Sequence, residues 1–351
     1  MGQRGKGPVI GVDAMGGDLA PQVVIEGALE ALRESDSMFD VALIGDEAQV
    51  FEAADRLGVR DRLPQVIHAA EVVEMAESAA QSVRKKRDSS ISVAARLQKE
   101  GQTDALVSAG NTGAVVASAL LEMGRIEQIQ RPAIATVLPT PQGNVVILDV
   151  GATSDCKPTH LYQFAMMGSI YARLVLGVER PRVGLLNIGE EAEKGSELYY
   201  EAHQLLKRSP IHFVGNVEGK DIILGTADVV VCDGFVGNVL LKFAESMIPS
   251  LATMIKDEIN AHPLSMLAGL LLKPAFRRLK GRLDYAEVGG APLLGVEGTC
   301  IIAHGRSNPR AIKNAIRVAA EFSAGKVNEG IEEVLRGAKA GVSPDGANAG
   351  V

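Results

Sequence analysis

Four short segments carry side chains that could do chemistry on an anion or an ester. Asp13-Ala-Met-Gly-Gly-Asp18 brackets a glycine pair with two carboxylates. Ser108-Ala-Gly-Asn-Thr-Gly113 offers free backbone N–H groups, hydroxyls and an amide where a helix begins. Asn187-Ile-Gly-Glu-Glu-Ala-Glu-Lys-Gly195 sets Lys194 beside glycines and carboxylates. Asp233-Gly-Phe-Val-Gly-Asn238 opens a helix that carries Lys242 one turn further on. Backbone N–H groups at a helix start, reinforced by the helix dipole, suit phosphate or another anion. Gly11-Val-Asp-Ala-Met-Gly16 lacks the glycine spacing of a dinucleotide fingerprint, and no Gly-Lys-Ser/Thr marks a P-loop. A nucleophile elbow is also missing, and the six histidines form no plausible zinc set. Cys156 reads either as a thiol nucleophile or as a small packing residue. The aspartates could hold a divalent metal or cap helices and orient loops; capping is the better reading for Asp18 and Asp155.

Each of these loops follows an apolar run, as does a fifth over 145–156 (VVILDVGATSDC). Runs of four to six apolar residues between helical patterns read as buried parallel strands. If all the strands end on one edge, five polar loops converge on one crevice, where open α/β sheets bind ligands. Helical spacing is expected over 21–32, 46–57, 90–100, 111–121, 158–176, 196–207, 238–259 and 309–322. Strands are expected over 39–44, 65–69, 211–214 and 299–303. The pair 134–138 and 145–149 reads as an antiparallel hairpin, so the sheet should be mixed.

The chain has 351 residues, enough for a large core. Lys and Arg number 36 against 43 Asp and Glu, a net charge of −7, so there is no basic bias toward nucleic acid. No Trp and only three cysteines, far apart, fit neither a stacking platform nor a disulfide or zinc framework. With no secretory signal and no apolar stretch of spanning length, the chain reads as soluble and cytoplasmic. The expected organisation is one α/β catalytic domain over 8–335, with room for two lobes. A helical protrusion is expected at about 246–285 and a disordered tail over 336–351.

Two cationic patches stand out. Arg84-Lys-Lys-Arg87 is a compact cluster ahead of a helix. Leu264–Leu272 is apolar nearly all round, with Pro274 placed to start a new helix after it. In that helix Phe276, Leu279 and Leu283 share a face and Arg277, Arg278, Lys280 and Arg282 cover the rest. Such a pattern suits an anionic membrane surface, a dimer interface or both.

Asp13-Ala-Met-Gly-Gly-Asp18, Ser108-Ala-Gly-Asn-Thr-Gly113, Asp149-Val-Gly-Ala, Asn187-Ile-Gly-Glu-Glu, Cys232-Asp-Gly-Phe-Val-Gly-Asn238 and Gly289-Gly-Ala-Pro-Leu-Leu-Gly295 resemble, in order, the signature segments of the bacterial phosphate acyltransferases of the PlsX family. The resemblance runs from about Val9 to Glu332. It implies a three-layer α/β/α fold with a mostly parallel, mixed sheet, similar to phosphotransacetylases and isocitrate dehydrogenases. It implies transfer of a long-chain acyl group from acyl carrier protein to inorganic phosphate for phospholipid synthesis, a homodimer, and peripheral contact with the inner face of the membrane. No cofactor, metal or nucleic acid is called for. On this reading Lys194, Asp233 and Asn238 are catalytic. Asp13, Gly16, Gly17, Ser108, Gly110, Asn111, Thr112, Gly113, Asn187 and Glu191 bind substrate or phosphate. Asn111, Thr112 and Gly113 hold phosphate with Lys194, Asn238 orients the thioester and Asp233 handles the proton. Lys85, Lys86, Leu270, Leu271, Phe276, Arg277 and Arg278 contact carrier protein or membrane. The rivals are a metal- and NAD-dependent dehydrogenase on the same fold and a non-catalytic membrane scaffold.

Overall fold

The computed structural model describes residues 7–283, 289–325 and 327–341. Among them eleven strands form one sheet: β1 Val9–Asp13, β2 Asp40–Gly45, β3 Gln65–His68, β4 Ala105–Ser108, β5 Ala133–Thr140, β6 Gly143–Leu148, β7 Arg182–Leu186, β8 His212–Val217, β9 Val229–Val231, β10 Ala291–Leu294 and β11 Cys300–Ile302. Their spatial order is β3-β2-β1-β4-β11-β10-β5-β6-β9-β7-β8.

Among the described residues ten α-helices lie between the strands or project from them: α1 Gln22–Glu34, α2 Glu47–Leu57, α3 Ala79–Lys85, α4 Ser90–Lys99, α5 Thr112–Ser118, α6 Pro158–Val175, α7 Glu197–Lys207, α8 Gly219–Leu224, α9 Gly234–Asn260 and α10 Pro263–Leu283. Two more, Pro309–Ala324 and Val327–Gly341, close the described chain.

Alternation along the strands builds three layers, because successive side chains point to opposite faces. Ile44, Leu106, Ile134, Ile147 and Val230 share one continuous core with α4, α5 and the start of α9. On the opposite face Leu43, Ala105 and Val107 pack with α1 and Pro309–Ala324. There too Ala133, Ala135, Val146 and Val229 pack with α6, α7 and Val327–Gly341. This is the three-layer α/β/α arrangement with a mostly parallel sheet that the sequence resemblance implies.

Strand direction departs from the expectation of one shared edge. β1, β2, β3, β4 and β11 are parallel. β10 is antiparallel to both β11 and β5, and β5 is antiparallel to β6. β6, β9, β7 and β8 then run together, opposite to β1. The loops after β1 and β4 therefore leave one edge of the sheet, and those after β6, β7 and β9 leave the other.

Several local expectations also change. Pro274 does not start a helix: α10 continues through it, so the apolar and basic stretches lie on one rod. Residues 79–85 form a helix where the sequence shows only polarity and charge. The final helix reaches Gly341, so 336–341 are helical rather than part of a disordered tail, and 342–351 lie outside the described residues. Neither Asp18 nor Asp155 caps a helix. The residues in the cap positions are Pro21 and Lys157, and Asp18 instead lies 3.8 Å from the Arg306 guanidinium.

Candidate active site

The loops after β1 and β4 form a buried group that is largely satisfied from within. The Ser108 hydroxyl donates to Asp13 Oδ2 at 2.7 Å, and Met15 N donates to Asp13 Oδ1 at 3.1 Å. Gly110 N in turn donates to Ser108 Oγ at 3.1 Å. Burial pushes the Asp13 carboxyl above the usual carboxylate range, partly offset by donors from Ser108, Ser90, Met15 and Gly16. Gly16 must be glycine, because a Cβ there would lie 2.6 Å from Asp13 Oδ2 and 2.7 Å from Gly110 N. Gly17 has φ +113°, a left-handed backbone that glycine adopts freely.

A third loop belongs to this group and escaped the sequence reading. Asp18 N donates to Gly305 O at 2.8 Å, in the segment that follows β11. The signal was present: 299–309 repeats the plan of apolar run, glycine loop and helix start.

Asn111 corrects one expectation. Its Oδ1 caps Ala114 N at 3.1 Å, and its Nδ2 donates to Met75 O and Glu77 O at 2.9 and 3.3 Å. The amide is thus consumed in starting α5 and tethering the 75–77 segment over it. Thr112 and Gly113 beside it are exposed, and first-turn N–H groups have no earlier helical carbonyl to satisfy them. Lys86 is a second correction. It turns inward, donating to Val72 O at 2.7 Å and pairing with Glu77 at 2.6 Å, which braces the same segment. Arg84, Lys85 and Arg87 remain exposed.

The loops after β6, β7 and β9 form the second group. Asp149 is fully buried and accepts N–H donors from Ile134, Gly151, Ala152 and Thr153 at 2.6–3.1 Å. It orients its loop, and burial raises its carboxyl. α9 begins directly against that loop. A Cβ on Gly234 would lie 2.6 Å from Asp149 Oδ2, and one on Gly237 would collide with the Asp149 carbonyl oxygen. Both glycines of Asp233-Gly-Phe-Val-Gly-Asn238 thereby serve close packing, which seats the Asn238 side chain over Gly151.

Asp233 Oδ1 caps α9 by accepting from Phe235 N and Val236 N at 2.9 and 3.0 Å. Its Oδ2 accepts from the Tyr199 hydroxyl at 2.6 Å. In the loop after β7, Asn187 Nδ2 donates to Lys194 O at 2.9 Å, and Lys194 N donates to Glu191 O at 3.1 Å. Glu190 pairs with Lys220 at 3.3 Å rather than with Lys194. Among the described residues Lys194 makes no ion pair, and it is exposed. Cys156 is only half-buried, yet burial, Asp149 and Asp233 push its thiol up to about 12. That disfavours the thiolate a nucleophile needs.

The structure therefore joins Asp13, Gly16, Ser108 and Gly110 in one network, with Gly17 and Asn111 beside it. It joins Asn187, Glu191, Lys194, Asp233 and Asn238 with Asp149 and Tyr199 in another. No hydrogen bond among the described residues links the two networks. Both helix starts pack on one shared core, through Ala114 and Val115 of α5 and Val236 and Leu240 of α9. Tyr199 is the second residue the sequence did not single out, because its contact with Asp233 spans 34 positions.

α9 leaves the core after Leu241, and one stripe of it is apolar and faces outward: Phe235, Val239, Phe243, Met247 and Leu251, each about half exposed or more. α10 folds back after a two-residue connection, with Gly269 against Ile259. Leu270 and Leu271 are 66% and 79% exposed on it, and Phe276, Arg277 and Arg278 are also exposed. No helix among the described residues is long and apolar enough to cross a membrane.

Comparison with known proteins gives a concordant result. The family model described as "Fatty acid synthesis protein" matches residues 9–329. A "Phosphate acyltransferase" from Heliobacterium modesticaldum is 55% identical over 312 residues, covering 88% of this chain and 92% of the relative. One from Moorella thermoacetica is 51% identical over 326 residues, covering 93% and 94%. Among solved structures, a phosphotransacetylase from Streptococcus pyogenes superposes with TM-score 0.61 at 16% identity, covering 94% of this chain and 95% of that one. At that identity the likeness speaks for the fold.

Proposed function

Because the chain belongs to the fatty acid synthesis protein family, we propose that it is a phosphate acyltransferase that moves a long-chain acyl group from acyl carrier protein to inorganic phosphate. A phosphate oxygen attacks the thioester carbonyl carbon, the carbon–sulfur bond breaks, and the carrier thiolate leaves and takes a proton. Acyl phosphate and free carrier protein result. The chemistry asks for an anion pocket, a cation or donor at the carbonyl oxygen and fixed geometry, because a thiolate leaves without a strong acid.

The observation that carries this reading is the second loop group. It holds an exposed lysine that makes no ion pair among the described residues, in a loop tied through Asn187 and Tyr199 to a helix start held by Asp149 and Asp233. Lys194 supplies positive charge to phosphate and to the developing oxyanion, and Asn238 donates to the thioester carbonyl. Asp233, with both oxygens engaged, holds the start of α9 rather than moving the proton. Arg84, Lys85 and Arg87 offer a cationic face to the acidic carrier protein.

The assay is direct. The protein is incubated with palmitoyl-acyl carrier protein and phosphate, without added metal or nicotinamide, and acyl phosphate is trapped as its hydroxamate. Phosphate-dependent product supports the reading; thioester cleavage that ignores phosphate, or none at all, rejects it. The NAD-dependent dehydrogenase and the inert scaffold both predict no product.

The α9 stripe suits a second copy of the chain, and the tip of α10, with leucines beside Arg277 and Arg278, suits an anionic bilayer surface. On this reading the protein works at the cytoplasmic face of the membrane. Flotation with anionic vesicles checks this: Leu270→Glu and Leu271→Glu should abolish co-flotation, and unchanged binding removes the membrane contact.

A further inference from the structure

We propose that Tyr199 is a positioning residue for acyl transfer, locking the Asp233 carboxylate and the Lys194 loop into one rigid unit; the inference rests on the acyl-transfer reading of this site. Tyr199 sits in the first turn of α7, where its N–H donates to Ser196 O at 3.0 Å. Its hydroxyl reaches across to donate to Asp233 Oδ2 at 2.6 Å. Burial and Asp233 together hold the phenol above its ordinary range, so it remains a donor throughout the working pH range.

The backbone beneath Tyr199 connects to the other loop. Gly195 has φ +93°, and a Cβ on it would lie 2.7 Å from Asn187 Oδ1 and 3.1 Å from the Tyr199 Cβ. Asn187 in turn holds the Lys194 carbonyl. One continuous path thus runs from Lys194 through Asn187, Gly195 and Tyr199 to Asp233 and the first N–H groups of α9. Asn238 lies one turn along that helix. The two side chains assigned to the thioester and phosphate come from the loops after different strands, β7 and β9, and the Tyr199 hydroxyl, donating to Asp233 Oδ2 at 2.6 Å and accepting from Asp233 N at 3.5 Å, ties the β7 side to the β9 side.

Misplacement of a reacting group by about 1 Å can cost roughly 100-fold in rate without much change in binding. Tyr199→Phe keeps the ring and removes only the hydroxyl. In the full-length protein it should lower kcat about 10- to 100-fold and leave KM for palmitoyl-acyl carrier protein within about threefold. Hydrogen exchange should quicken at Phe235 and Val236, which donate to Asp233, and across 194–196. Adding Asp233→Asn to Tyr199→Phe should cost little more than Asp233→Asn alone, as expected of two residues acting as a unit. An unchanged kcat, a loss carried wholly by KM, or additive losses in the double variant would each overturn the proposal. So would faster exchange with normal turnover, which marks a structural tie alone. If the unaltered protein shows no phosphate-dependent turnover, the acyl-transfer reading itself fails, and a role for Tyr199 in it falls too.

Discussion

The two loop groups use similar residue types to opposite ends. After β1 and β4, the carboxylate, hydroxyl and glycine N–H groups satisfy one another, and Asp13, Gly16, Ser108 and Gly110 are buried. After β7 and β9, the polar atoms facing inward are also satisfied, but Lys194 is exposed without an ion-pair partner among the described residues, and Asn238 is half-buried at the head of α9. The difference teaches that polar, glycine-rich loops after strands are not equivalent. A group whose donors and acceptors close on each other shapes the fold, and one that leaves a cation unsatisfied on a rigid base is equipped to meet a substrate.

The largest effect should come from the open group. Lys194→Ala should lower kcat by about 100- to 1000-fold, the range for removing one group that stabilises developing negative charge. The residue is exposed and makes no ion pair among the described residues, so the denaturant midpoint should not move. Activity and urea unfolding on the same preparation check this. A stability loss without a rate loss would reverse the roles assigned to the two groups.

The closed group should answer in stability. Gly16→Ala forces a methyl to within 2.6 Å of Asp13 Oδ2 and 2.7 Å of the Gly110 backbone, neither of which is a flexible chain end. A cost of about 2–4 kcal/mol is expected from overpacking at a buried polar network. Urea unfolding reads it directly. A fully stable Gly16→Ala protein with lost phosphate affinity would show the first group to be a binding site in its own right.

Sequence reaches far into this architecture but loses the sheet at one point. The apolar runs of β1, β4, β7 and β9 and the hairpin of β5 and β6 are legible because short apolar runs end in glycine-bearing loops. β10, with Pro292 inside four residues, has no such signature. Yet it sits between β11 and β5, and strand direction across the sheet passes through it. The division of five loops between two edges is therefore invisible without pairing information. The site shows the same limit. Motif and spacing offer Lys194, Asp233 and Asn238 as candidates. That Asn111 and Lys86 spend their polar atoms on the 72–77 segment depends on tertiary contacts that spacing does not encode. The same holds for Tyr199, which grips Asp233 from another strand's helix.

The smallest expected effect tests the chemical premise of the contrast. Asp13 is buried, and its carboxyl is raised relative to an unfolded chain, where aspartate titrates near ~3.9. A raised folded value means that the native state binds this proton more tightly than the unfolded state. The resulting stabilisation is complete below the unfolded value and is lost as pH rises through the folded one. Asp13→Asn is neutral at every pH and keeps an oxygen to accept from Ser108. The stability of the unaltered protein relative to Asp13→Asn should therefore fall as pH rises from the acid range, as read from urea midpoints at successive pH values. A difference that instead grows with pH would mean that Ser108, Ser90 and the backbone donors hold Asp13 as a stable carboxylate. The first group would then be a built charged site, and the distinction between a closed structural loop set and an open reactive one would collapse.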